Sequence, residues 1–292
     1  MRDPSSKNMS ASIRARLLNL AKARGEDFQA IVLRYAVERF LARLAASPHR
    51  DQFVLKGAML YIAWRLDDKR TTMDLDLLGF GNPDPKHLAK VIASVCSVTV
   101  ENDGLVFDGT RVAASPIRED SVYDGVRVVV PVHLGVMPIR LQIDVGFGDA
   151  IVPEPRQVEF PALLAEHGPT IATYSPESVI AEKLHAMALL GMANSRMKDY
   201  FDIWMMSRTL KLNDDLLREA IKRTFARRQT PLPASTPVGL TDAFGNNESK
   251  RLQWAGFVKR QRRESTPPDL LEVVKTVREF LVHLGDNNPS ST

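Results

Sequence analysis

The stretch RTTMDLDLLGF, residues 70–80, sets Asp74 and Asp76 two positions apart inside an otherwise apolar run. Side chains of a strand alternate between faces, so both carboxylates share one face, while Leu75, Leu77 and Met73 take the other. Burying two like charges side by side is costly. A chain with this segment therefore needs a strand with one packed face and one wet face, or a cation between the carboxylates. Mg²⁺ suits the second case, because it takes one or two carboxylates together with substrate phosphate oxygens and water. The plainer alternative is a solvated edge strand, or aspartates that cap neighbouring elements.

Two further segments bear on that choice. FVLKGAMLYIAW, residues 53–64, reads as a strand, a turn at Lys56, Gly57 and Ala58, and a helix. Backbone N–H groups at such a turn can hold phosphate, with Lys56 adding positive charge. RLQIDVGFGD, residues 140–149, places Asp144 between Ile143 and Val145 on a second strand. Three carboxylates on adjacent strands form a ligand set for two metals, one activating an attacking hydroxyl and one holding the leaving phosphates. Asp149 competes for the third place, but its turn setting suggests solvation.

The 292 residues carry a formal net charge of +4 and 44% apolar residues, enough for one large domain or two ordinary ones. A single cysteine, Cys96, excludes an internal disulfide, fits a reducing cytoplasm and reads as a core residue. No window is apolar enough to cross a membrane, and the N-terminus lacks a signal-peptide core. The first ten residues read as disordered, followed by helices over 13–24 and from Phe28 to Leu44, the latter capped by Asp27. A helix over 87–97 follows the paired carboxylates. Strands are expected over 97–101, 125–132 and 138–145, the last two as a hairpin. From Ser175 onward the pattern is helical: 176–190, 194–209, 214–228, 249–262 and a final amphipathic helix from PPDLLEVV.

The helical half holds more candidates. Ser175 and Pro176 start a helix on which Lys183 shares a face with Val179 and Ala186. A lysine there often only snorkels outward. NSRMKDYFDIW carries Arg196, Lys198, Asp199 and Asp202 within seven residues. It reads either as an ion-paired surface or as a polar face lining a cleft, with Asp202 orienting Lys198 or Arg196. Thr72 shares the face of Asp74, within reach of a metal-bound water or a phosphate, beside Arg70. Arg227, Arg228, Lys250, Arg251, Lys259 and Arg260, interleaved with Trp254 and Phe257, suit a surface that follows a phosphate backbone and stacks a base. The alternative is a solvated helix face with its aromatics turned to the core.

These phrases, with SPESVIAEKLHAMALLGMANSRMKDYFDIW, resemble the AbiEii/AbiGii toxin family, MenT-like toxins among them, within the DNA polymerase β-type nucleotidyltransferases. The resemblance spans about residues 28–260. It implies an α+β nucleotidyltransferase fold with a mixed β-sheet and a C-terminal helical domain: a tail and helix over 1–25, a catalytic domain over 26–170, and a helical domain over 171–292 that completes the cleft. It implies Asp74, Asp76 and Asp144 as metal ligands, and Lys183 and Asp199 as catalytic partners. Lys56, Gly57, Ala58, Arg70, Thr72, Arg196, Lys198 and Asp202 are expected around the nucleotide. The implied activity is transfer of NMP from an NTP with Mg²⁺, or Mn²⁺, to the 3′ end of tRNA, blocking translation in the cytoplasm. The implied partner is an AbiEi-like winged-helix antitoxin. A transferase acting on a protein or small molecule, or a non-catalytic nucleotide-binding module, stays open. The family turn usually reads Lys-Gly-Gly, and Ala58 departs from it.

Overall fold

A computed structural model describes residues 4–66, 72, 74–117, 125–261 and 269–286. The chain divides into two compact units. The first comprises Met1–Asp149 and Pro155–Tyr174, and the second Ala150–Glu154 and Ser175–Thr292.

The first unit is a mixed sheet with helices. Helices α1 (Pro4–Arg24) and α2 (Phe28–Ala45) lead into β1 (Phe53–Lys56), the short α3 (Met59–Ala63) and β2 (Asp74–Gly79). Then come α4 (Pro85–Cys96), β3 (Leu105–Phe107), β4 (Ala113–Ile117), β5 (Gly125–Leu134), β6 (Met137–Phe147), β7 (Arg156–Glu159) and β8 (Thr170–Thr173). Strand order is β3-β5-β6-β2-β1-β8-β7, with β4 also pairing β5. Strands β2 and β6 pair in parallel, whereas β1–β2 and β5–β6 are antiparallel.

Period-two patterning sorts the side chains. Leu55, Leu75, Leu77, Val126, Val128, Ile143 and Val145 form one apolar face and are almost fully buried. Helix α2 packs on β6 and β8, and its Leu41 and Leu44 share a cavity wall with Leu55 and Leu77. Full burial of a leucine or valine contributes about 1.5–3 kcal/mol each, so this face fixes the register of every central strand. The opposite face is buried at Val54 and Leu78 and half-exposed at Asp74, Asp76, Gln142, Asp144 and Arg127. Helix α2 begins where Asp27 accepts from the Ala30 N–H at 2.9 Å, and α4 where Asp84 accepts from the His87 N–H at 2.8 Å.

The second unit is helical: α5 (Pro176–Leu190), α6 (Met197–Thr209), α7 (Asp214–Arg227), α8 (Asp242–Asn246), α9 (Glu248–Gln261) and α10 (Leu270–Asp286). Ser175 caps α5 by accepting from the Ser178 N–H at 3.1 Å, with Pro176 in the first turn. No described helix is long and apolar enough to cross a membrane.

Several expectations need correction. Helix α1 begins at Pro4, so most of the first ten residues are helical. Residues 97–101 form no strand, because Ser97 caps α4 and the segment stays half-exposed without a pairing partner. Strands β3, β4, β7 and β8 and helix α8 were not anticipated; each is only three to five residues long, too short for a periodic signal. Cys96 is buried and its thiol is pushed up to about 12 by burial, as befits a core residue.

Asp103 is 5% exposed and takes hydrogen bonds from Arg39 Nε at 3.0 Å and Arg43 Nη1 at 2.6 Å, while Arg43 lies over the Phe107 ring. Asp103→Ala leaves Arg43 buried without its counter-charge and should cost about 3 kcal/mol in urea unfolding. In the second unit His185 is 4% exposed, and its pKa is lowered to about 4 by burial and by the Arg228 guanidinium. Unfolding restores an ordinary imidazole, so the unfolded chain takes up the proton first. Stability should fall by about 1–3 kcal/mol as pH drops from about 6.5 to about 4, and His185→Gln should flatten that slope.

Candidate active site

Asp74 and Asp76 stand on the half-exposed face of β2, as the alternation requires. Because β2 and β6 run in parallel register, Asp76 lies opposite Asp144, and Asp74 lies opposite Gln142. One carboxylate oxygen from each of Asp74, Asp76 and Asp144 falls within 4.8 Å of the others. Two full charges at that separation repel by about 3–4 kcal/mol at an effective dielectric of 20. Three hard oxygen donors at such spacing suit Mg²⁺ or Mn²⁺, and nothing softer is among them. Thr72 Oγ1 donates to Asp74 Oδ1 at 2.8 Å, which fixes that carboxylate's rotation. Arg70 lies outside the described residues.

No pattern in the sequence marks the residue that meets Asp144. Arg127 on β5 is paired with Asp144 across the β5–β6 ladder. Its guanidinium forks onto the carboxylate, with Nε to Oδ1 at 2.9 Å and Nη2 to Oδ2 at 2.7 Å. With its carboxamide oxygen turned to the guanidinium, Gln142 accepts from Arg127 Nε at 3.1 Å. The hydrogen bonds to Asp144, with the fields of Asp144, Asp74 and Asp76, raise the Arg127 pKa further. An arginine between valines on a strand reads as an outward charge, and only the cross-strand register reveals its partner.

Gly57 explains the turn. Its φ is +70°, and a Cβ built there would lie 1.9 Å from Asp76 Oδ2. Only glycine accepts both the conformation and the approach of that carboxylate. Ala58, the departure from the usual family turn, has a helical φ of −68° and needs no such freedom. Lys56 lies opposite Asp76 in the β1–β2 ladder, but its ammonium reaches Asp149 Oδ2 at 2.6 Å. Tyr174 Oη donates to the same oxygen at 3.4 Å. The Asp149 side chain is only 9% exposed, so it is a buried anchor for Lys56 rather than the solvated turn residue expected.

In the helical unit Lys183 is held by two carboxylates. Its ammonium hydrogen-bonds Asp199 Oδ1 and lies 2.9 Å from Asp202 Oδ2. Asp202 is fully buried and serves as a counter-charge to Lys183. Arg196, Lys198 and Arg260 line an open depression of about 690 Å³ between the start of α6 and α9, floored by Phe257. The expected basic surface is narrower than its sequence. Lys250 is buried, donates to the Asn194 carbonyl at 2.9 Å and approaches the Phe244 ring. Trp254 and Phe257 are buried as well, and the Phe257 ring packs at a tilt against those of Trp254 and Phe201, so both serve the core. Arg228 hydrogen-bonds His185, while Arg227, Arg251, Lys259 and Arg260 are exposed.

The family model described as nucleotidyl transferase AbiEii toxin, type IV toxin–antitoxin system, matches residues 39–276. Among solved structures, a candidate nucleotidyltransferase from H. pylori aligns with a TM-score of 0.51 at 17% identity, over 88% of this chain and 95% of its own. JHP933 from Helicobacter pylori aligns with a TM-score of 0.49 at 16% identity, over 86% and 90%. A comparison with curated proteins found no match. The first likeness supports the fold, and the family match over most of the sequence supports the activity: the chain belongs to the AbiEii nucleotidyl transferase toxin family of type IV toxin–antitoxin systems.

Proposed function

We propose that the protein transfers a nucleoside monophosphate from an NTP to the 3′ end of tRNA, which blocks aminoacylation and arrests translation. The convergence of Asp74, Asp76 and Asp144 on the wet face of the sheet carries this reading. A divalent cation on these oxygens, Mg²⁺ or Mn²⁺, would neutralise triphosphate charge and favour ionisation of the acceptor hydroxyl. The acceptor oxygen attacks the α-phosphorus, the bond to pyrophosphate breaks, and Asp144 is placed to take the hydroxyl proton. Gly57 and Ala58 offer backbone N–H groups to phosphate, and Thr72 holds Asp74 in its productive rotation. Lys183, bonded to Asp199 and Asp202, would supply positive charge for the departing pyrophosphate. Arg196 and Lys198 serve the nucleotide. The exposed Arg227, Arg251, Lys259 and Arg260 follow the RNA backbone, which would be recognised by shape. The setting is the cytoplasm, and the partner is an AbiEi-like winged-helix antitoxin.

Expression of the wild type beside Asp76→Ala, followed by sequencing of tRNA 3′ ends, tests this. Extended ends and growth arrest should appear only with the wild type, and transfer by Asp76→Ala should fall roughly 100- to 1000-fold or more. Growth arrest by both forms alike contradicts the catalytic reading. Labelled nucleotide appearing on protein or a small molecule, with tRNA untouched, moves the acceptor to the alternative class. Gly57→Ala should leave a folded protein by circular dichroism yet lower transfer roughly 100-fold, because the new Cβ displaces the Asp76 carboxylate.

A further inference from the structure

Arg127 stands apart from the machinery described above. It contributes no carboxylate, yet it engages both oxygens of Asp144 through the fork at 2.9 and 2.7 Å. The Asp144 side chain is 14% exposed and that of Arg127 is 42% exposed, so the pair is screened on one side only. The strand register sets this contact: Arg127 and Asp144 are direct partners in a ladder of ten residue pairs, and Gln142 steadies the guanidinium from the same strand as Asp144.

The consequence concerns how the acidic cluster loads. Each carboxylate oxygen keeps a second lone pair when an arginine takes the first, so the fork does not close Asp144 sterically. It does place a fixed positive charge beside one of three candidate ligands, and a divalent cation is repelled by that charge. We infer that Arg127 is a built-in competitor for Asp144, which holds down the divalent-cation affinity of the nucleotide-free protein so that the cation is retained only together with a triphosphate. A nucleotide brings its own negative charge, which offers the guanidinium another partner and frees Asp144. This rests on the reading of Asp74, Asp76 and Asp144 as metal ligands and adds a regulatory element to that site.

The probe is Mn²⁺ alone, titrated into the full chain without nucleotide and followed by the loss of free-ion signal in electron paramagnetic resonance. Arg127→Gln should bind Mn²⁺ about tenfold more tightly than the wild type, a size expected for one half-exposed charge a few ångströms away. Arg127→Lys keeps the charge but loses the fork and should fall between the two. In an Asp144→Asn background, adding Arg127→Gln should change the affinity less than twofold. Circular dichroism melts confirm that each variant is folded. An affinity in Arg127→Gln equal to or weaker than that of the wild type overturns the inference, as does an equal gain in the Asp144→Asn background. If the wild type and Arg127→Gln both fail to bind Mn²⁺, the metal reading fails with it. If Mn²⁺ binds and depends on Asp76 but not on Arg127, only the inference fails.

Discussion

Everything at the candidate site follows from one line of side chains running across four strands. Lys56, Asp76, Asp144 and Arg127 are successive register partners on β1, β2, β6 and β5, so the order of charges is plus, minus, minus, plus. The two inner carboxylates face each other because β2 and β6 are parallel neighbours. Arg127 turns inward to Asp144, and the Lys56 ammonium also reaches Asp149. Asp74 adds a third carboxylate beside the two at the centre of this line. Carboxylates this close repel one another, and a divalent cation held among their oxygens would relieve that repulsion.

The cost of holding that arrangement is met on the other side of the sheet. Leu75 and Leu77 are buried to 1% exposure or less, as are Ile143 and Val145. A one-residue slip of β2 would exchange these leucines for Asp74 and Asp76, and the lost apolar burial together with two buried charges makes that register inaccessible. Gly57 adds a local constraint of the same kind, since the Asp76 carboxylate occupies the space a side chain would need. The same logic, with an ammonium between two carboxylates, organises the helical unit around Lys183, Asp199 and Asp202.

How much of this could be read before the structure depends on the range of the interaction. Helices α2 and α5 were legible because their caps are local, Asp27 and Ser175 each sitting beside the helix it starts. Strands β2, β5 and β6 were legible through alternation, and Asp74 and Asp76 through their spacing. Arg127 was not, because its meaning comes from a partner 17 residues away across a hairpin. Lys56 and Asp149 are separated by 93 residues and found one another only through the order of strands. Lys250, Trp254 and Phe257 misled for the opposite reason: a basic, aromatic helix has the composition of a nucleic-acid surface, yet this one turns those three side chains into its core. Composition reports which residues are present, and only packing decides which face they take.

The central claim is that Asp74, Asp76 and Asp144 together hold a divalent cation in service of nucleotidyl transfer. Anomalous diffraction from a crystal grown with Mn²⁺ and a non-hydrolysable nucleoside triphosphate tests it most directly. The account predicts a manganese peak about 2.0–2.3 Å from oxygens of these three carboxylates and bridged to the phosphates. A bound nucleotide whose manganese lies away from all three aspartates, with Asp144 still forked to Arg127, would contradict it.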